Sequence, residues 1–137
     1  SGNSEKFSSY VPVSTFDKLF AKRFEDKHVF ILVDIEGAEF AMLQGASEFL
    51  NRNPKPIWMI EITTTEHQPM GVGINPKLED TFKLFWDAGY KEIIADETIR
   101  EISKLEIDRM VQGEKDLIKS HNFIFIDNNV EINSLLK

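Results

Sequence analysis

The sequence predicts an α/β domain built on a sheet with right-handed crossovers. Two observations predict it. Apolar runs of strand length alternate with stretches of helical periodicity along most of the chain. The first clear run, "HVFILVD" from His28 to Asp34, is continuous and rich in branched residues, which suits a strand buried on both faces.

The elements follow in order. "VPVSTFDKLFAKR" reads as a lead-in and a short helix. Ser14 or Thr15 serves as N-cap, Asp17 lies in the first turn, and Phe16, Leu19 and Phe20 form the apolar face. After "HVFILVD" a helix is expected from about Gly37 to Asn51. Met42, Leu43, Ala46, Phe49 and Leu50 make one wide stripe on it. Gly45 within it costs about 1 kcal/mol relative to Ala, which implies close packing on the sheet.

"NPKP" stops that helix, and "IWMIEI", Ile57 to Ile62, is the second strand. The polar stretch "TTTEHQPMGVGIN" is long for a connection in a compact domain, as functional loops often are. Asn75 as N-cap, Pro76 at the first helical position and Gly89 just past the end bound the next helix. Leu78, Phe82 and Phe85 line its inner face. "YKEIIA" is a third strand, and "TIREI" pairs beside it after the "ADET" turn. Ser103 and Glu106 form a capping box on a helix ending near Gly113. "NFIFID", Asn122 to Asp127, closes the sheet. The expected organisation is a leader over 1–10, one domain over 11–130 and a tail over 131–137.

With 137 residues the chain suits one domain. A net charge of −7 argues against broad binding to a nucleic-acid backbone. No run approaches the roughly 20 apolar residues that span a membrane, and no secretion signal is read. Cysteine is absent, so there is neither disulfide nor thiolate chemistry, which fits the reducing cytoplasm expected here.

In α/β sheets ligands gather off the carboxyl ends of the strands. Asp34 ends the first strand and Glu61 the second, so two strand ends aim acids at one rim. Glu61, between Ile60 and Ile62, is costly to bury unless something pairs with it. Glu36 and Glu39 stand where a helix begins and suit its positive end. His67 in the long loop is either a solvated imidazole or a general base. His28, His121, Trp58 and Trp86 read as structural. "GVG", Gly71 to Gly73, is too far from a strand end to cradle phosphate. No spacing suggests zinc. A magnesium-dependent hydrolase or phosphotransferase on the acid cluster is the lesser alternative.

"VPVSTFDKLF", "VFILVDIEGAEFAMLQGASEFL", "IWMIEIT", "LFWDAGY" and "HNFIFID", in that order, resemble the FkbM family of methyltransferases. The resemblance centres on Asp34, Glu36, Gly37, Glu39, Leu43, Gly45, Ala46 and Glu61, and covers about residues 11 to 127. It implies a Rossmann-like class I methyltransferase fold, here partial: the carboxyl-terminal strands and helices without the Gly-rich amino-terminal half. It also implies S-adenosylmethionine as cofactor and methyl transfer to a hydroxyl of a sugar, glycan or natural product. By the same resemblance Asp34 stands beside donor and acceptor, Glu36 and Glu39 begin the following helix, and Glu61 ends the fifth strand of the intact fold. Asp34, Glu61 and His67 are the candidate catalytic residues, Asp34 and Glu36 the candidate cofactor contacts, and no metal is expected. Leu32 departs from the Lys often found two residues before the Asp. A missing strand would leave the edge of "HVFILVD" open, to be covered by a second copy or an upstream domain. Alone, such a half-domain would be binding-only or structural.

Overall fold

The computed structural model describes residues 9–65, 68, 70–94, 99–113, 118 and 120–132. His67, the "ADET" turn and most of both termini lie outside them. The order is α1 (Phe16–Phe20), β1 (Phe30–Val33), α2 (Glu39–Gln44), α3 (Ser47–Asn51), β2 (Ile57–Glu61), α4 (Leu78–Asp87), β3 (Tyr90–Ile94), β4 (Arg100–Glu101), α5 (Lys104–Val111) and β5 (Asn122–Asp127). Among the described residues these strands form one five-stranded sheet, ordered β1-β2-β5-β3-β4. The sheet is mixed. Only β1 and β2 pair in parallel, and β5 lies antiparallel between β2 and β3. The α/β class holds, and the last strand is inserted between β2 and β3.

The inner face carries Ile31, Val33, Trp58, Ile60, Phe123, Phe125, Tyr90 and Ile94, all in one buried cluster. The helices reach into it with Leu43, Phe49, Leu50, Leu78, Phe82, Phe85, Ile107 and Met110. Phe85 is its centre. Its ring stacks on Phe125 at 3.8 Å and meets Trp58 and Tyr90 edge-on, arrangements that ring quadrupoles favour. Trp58 Nε1 donates to the Tyr90 hydroxyl at 3.4 Å. Burial pushes that hydroxyl up to about 12, the Trp58 contact opposing it.

The expected burial of the first strand on both faces is corrected. Ile31 and Val33 are buried, but Phe30 and Leu32 on the outer face are 60% and 67% exposed. Among the described residues the strand is a sheet edge, and its buried residues Ile31 and Val33 join the cluster that the helices enter. An apolar run therefore did not distinguish two covered faces from one.

The expected single helix over 37–51 is two helices. Glu36 and Gly37 are left-handed, with φ of 46° and 95°, so helix cannot begin before Glu39. At Gly45 a Cβ would stand 3.1 Å from Thr15 Cβ, and the Gly45 carbonyl accepts from Asp17 N–H at 2.9 Å. The close packing read at Gly45 is thus against the start of α1, not the sheet. Asp17 then caps α3 from outside, accepting from Glu48 N–H at 2.9 Å and Phe49 N–H at 3.1 Å.

Smaller corrections follow. Thr15 caps α1 as expected, but Leu19 is exposed rather than part of its apolar face. The helix expected to start at Pro76 starts at Leu78, and Asn75 Oδ1 instead accepts from Lys77 N–H in the turn before it. Gly89, with φ of 80°, follows the end of α4 as expected. Ser103 and Glu106 form the capping box on α5. Burial would raise the Glu106 carboxyl, but Ser103 N–H and Arg100, 2.8 Å away, hold it below its usual range. No described helix is long and apolar enough to cross a membrane.

Candidate functional site at the carboxyl rim

Parallel pairing aligns β1 and β2 up to Val33 opposite Ile60. One residue further stand Asp34, just past β1, and Glu61, the last residue of β2, at the same end of the sheet. Antiparallel pairing then sets Glu61 opposite Asn122, the first residue of β5. Alternation along the strands puts Glu61 and Asn122 on the outer face, and Asp34, just past the end of β1, extends that row at the open edge. Beneath it runs Leu32, Met59, Ile124. The face is apolar below and turns polar at the rim.

The acids differ in what they already do. Glu39 is buried, and its Oε1 accepts from Gly37 N–H at 2.9 Å. It stands at the start of α2, as read from the sequence, and closes the turn between β1 and α2, a bond the sequence reading did not include. Asp34, Glu36 and Glu61 have side chains with no hydrogen-bond or ion-pair partner among the described residues. Asp34 and Glu36 are exposed, and Glu61 is half-buried. A half-buried carboxylate without an internal partner leaves its acceptor capacity for water or a ligand. Glu36 also holds an uncommon conformation for a residue with a side chain.

Beyond the rim the chain is braced. Thr63 and Thr64 are buried. Asn75 Nδ2 donates to the Thr63 carbonyl at 2.9 Å, and Asn75 N–H to the Thr64 carbonyl at 2.7 Å. Asn75 therefore ties both ends of the long loop together. His67 lies outside the described residues, so its place relative to Asp34 and Glu61 is not part of this geometry. Among the described residues no three acids or histidines converge as a set that could hold a metal ion.

Sequence reasoning missed Asn122 and the bracing by Asn75. Asn122 carries no signal of its own: its place beside Glu61 comes from a register set across some sixty intervening residues. It also missed Glu92, a buried acid on the inner face that accepts from Trp86 Nε1 at 2.7 Å. Burial raises its carboxyl above the usual range, against the opposing effect of the Trp86 donor.

Comparison with curated proteins and with solved structures finds no match. A family model does match: that of the methyltransferase FkbM domain, over residues 2–92. The matched segment contains Asp34, Glu36, Glu39 and Glu61, and it is more than half of the chain. The chain with this two-acid rim belongs to the FkbM methyltransferase domain family.

Proposed function

We propose that this chain is the carboxyl-terminal part of a Rossmann-like, S-adenosylmethionine-dependent O-methyltransferase acting on a hydroxyl of a sugar, glycan or natural product. Family membership supports methyl transfer. The observation that carries the site is that the parallel register of β1 and β2 runs to Val33 opposite Ile60, which brings Asp34 and Glu61, one residue further on, to the same end of the sheet, the carboxyl end of both strands. That is where doubly wound sheets bind ligands.

The rim's chemistry suits the cofactor. S-adenosylmethionine is cationic at sulfur and at its amino group and carries ribose hydroxyls. Exposed carboxylates without internal partners can receive such groups. Asp34 and Glu36 would hold it. Bound there, it supplies an electrophilic methyl carbon. The protein's own part is then chiefly alignment, since direct displacement needs donor and acceptor held in line at close range. Glu61, further from the open edge, orients the acceptor hydroxyl. A base takes the hydroxyl proton, and His67 is our candidate for it.

Calorimetry with S-adenosylmethionine tests this on the 137-residue chain. Micromolar binding that weakens about tenfold or more in Asp34→Ala supports it. Binding unchanged in Asp34→Ala removes Asp34 from the site.

A second reading is favoured by one observation. β1 is an edge strand of four apolar residues, with two of them exposed on the outer face. In the doubly wound order the strand at this position pairs with the first strand of the fold. We read the chain alone as a half-domain whose edge is covered by an upstream domain or a second copy. Sedimentation at high concentration decides between these. A clean monomer rejects the second copy, and a folded chain that binds no cofactor favours the half-domain.

A further inference from the structure

The polar row at the rim has a third member outside the matched family segment. Asn122 faces Glu61 in the antiparallel β2–β5 ladder. Facing residues in such a ladder have Cβ atoms about 4.5–5.5 Å apart. The side chain of Asn122 is half-buried, and among the described residues its carboxamide makes no hydrogen bond. Its backbone is fixed. Asn122 N–H donates to Ser120 Oγ at 3.2 Å, and Ser120 Oγ–H donates to the Asn122 carbonyl at 3.4 Å. A half-buried carboxamide beside a half-buried carboxylate, both without internal partners, on a held backbone, is a recognition pair without a stated use.

We infer that Asn122 is an acceptor-binding, specificity-determining residue that works with Glu61, and that the acceptor is a sugar presenting neighbouring hydroxyls. The assignment rests on the methyltransferase reading of the rim. Position separates acceptor from donor. Asp34 and Glu36 lie at the open edge, and Asn122 stands two strands inward, roughly 10 Å across the sheet. That span leaves the reacting centre between them.

Chemistry points to the hydroxyls. A carboxylate only accepts, whereas a carboxamide both donates and accepts. A hydroxyl does both as well, so two adjacent hydroxyls use the pair fully: one donates to Glu61 while the other accepts from Asn122. A ligand with a single acceptor oxygen would leave the carboxylate unpartnered. Met59 and Ile124, half-buried one row below, offer an apolar floor to the C–H face of a pyranose ring.

The test uses the full chain, its Asn122→Ala and Asn122→Asp variants, and Glu61→Gln. Far-UV circular dichroism first establishes that each is folded. Asn122→Asp keeps the size and one acceptor, so it serves should the alanine variant not fold. Saturation-transfer NMR with the methyl glycosides of glucose, mannose and rhamnose reads the acceptor side, and calorimetry with S-adenosylmethionine reads the donor side. The expected result is saturation of at least one glycoside by the parent chain. Its affinity falls about tenfold in each folded variant, while donor affinity stays within about twofold. Glycoside binding unchanged in both Asn122 variants overturns the inference. So does a tenfold loss of donor affinity, or the absence of any glycoside binding by the parent. If the parent takes a glycoside but no S-adenosylmethionine, the donor reading of this chain fails while the Asn122 arm still decides.

Discussion

On the inner face of the sheet Trp58, Phe123 and Phe125 are fully buried under the helices. On the outer face of the same strands Phe30 and Leu32 lie open and Met59 and Ile124 are only half covered. The residue types hardly differ; what covers them does. Burial of apolar surface stabilises at about 25 cal/mol per Å², so the covered residues carry the fold's energy, Ile93 and Ile126 of the outer face among them, while the open part of that face at β1 contributes little by itself. The rim row tops the weakly covered face. The packed cluster and the proposed ligand rim are therefore divided between differently covered parts of one sheet.

Four changes test that division. Phe85→Ala should cost about 3–5 kcal/mol, because it empties the centre of the inner cluster. Urea denaturation checks it, and a loss below about 1 kcal/mol would mean the inner cluster is loosely packed. Asp17→Ala should cost about 0.5–2 kcal/mol by removing the cap that α1 lends to α3. Amide exchange should quicken first at Glu48 and Phe49, whereas exchange confined to α1 would show that the cap is not shared.

Glu92→Gln should have a smaller effect of opposite sign. Burial raises the Glu92 carboxyl in the folded protein. The protonated form is thus favoured by folding: its stabilisation is complete below the unfolded-state range and is lost as pH rises through the folded-state value. The variant should be more stable than the parent at neutral pH, with the gap closing below about pH 4. A gap that is the same at both pH values would place its origin in packing. Smallest is Leu32→Ser on the outer face, expected within about 0.5 kcal/mol in the isolated chain. A loss near 2 kcal/mol there would show that the face is covered in solution.

Local signals were legible where one element answered to its own residues. Thr15 caps α1, Ser103 and Glu106 box α5, Gly89 ends α4, and "NFIFID" is a strand from its first residue to its last. Among the acids, the place of Glu39 at a helix start was legible, while its bond to Gly37 N–H was not. Some misses were local, such as the left-handed Glu36 and Gly37 that delay α2 and the later start of α4, but one involved a distant segment. The break at Gly45 depends on Thr15 and Asp17 approaching it, which helical periodicity between 37 and 51 does not record.

The sequence by itself determined the α/β class, nearly every element and the two acids at the strand ends, because period, caps and turns are properties of neighbouring residues. Only the tertiary structure decided that β5 runs antiparallel between β2 and β3, that one face of β1 stays open, and that Asn122 joins Asp34 and Glu61 in a row. Those outcomes depend on register between segments far apart in the chain. A side chain's face, and therefore its use, is set by what pairs with its strand and what packs over it, neither of which is written in its immediate neighbours.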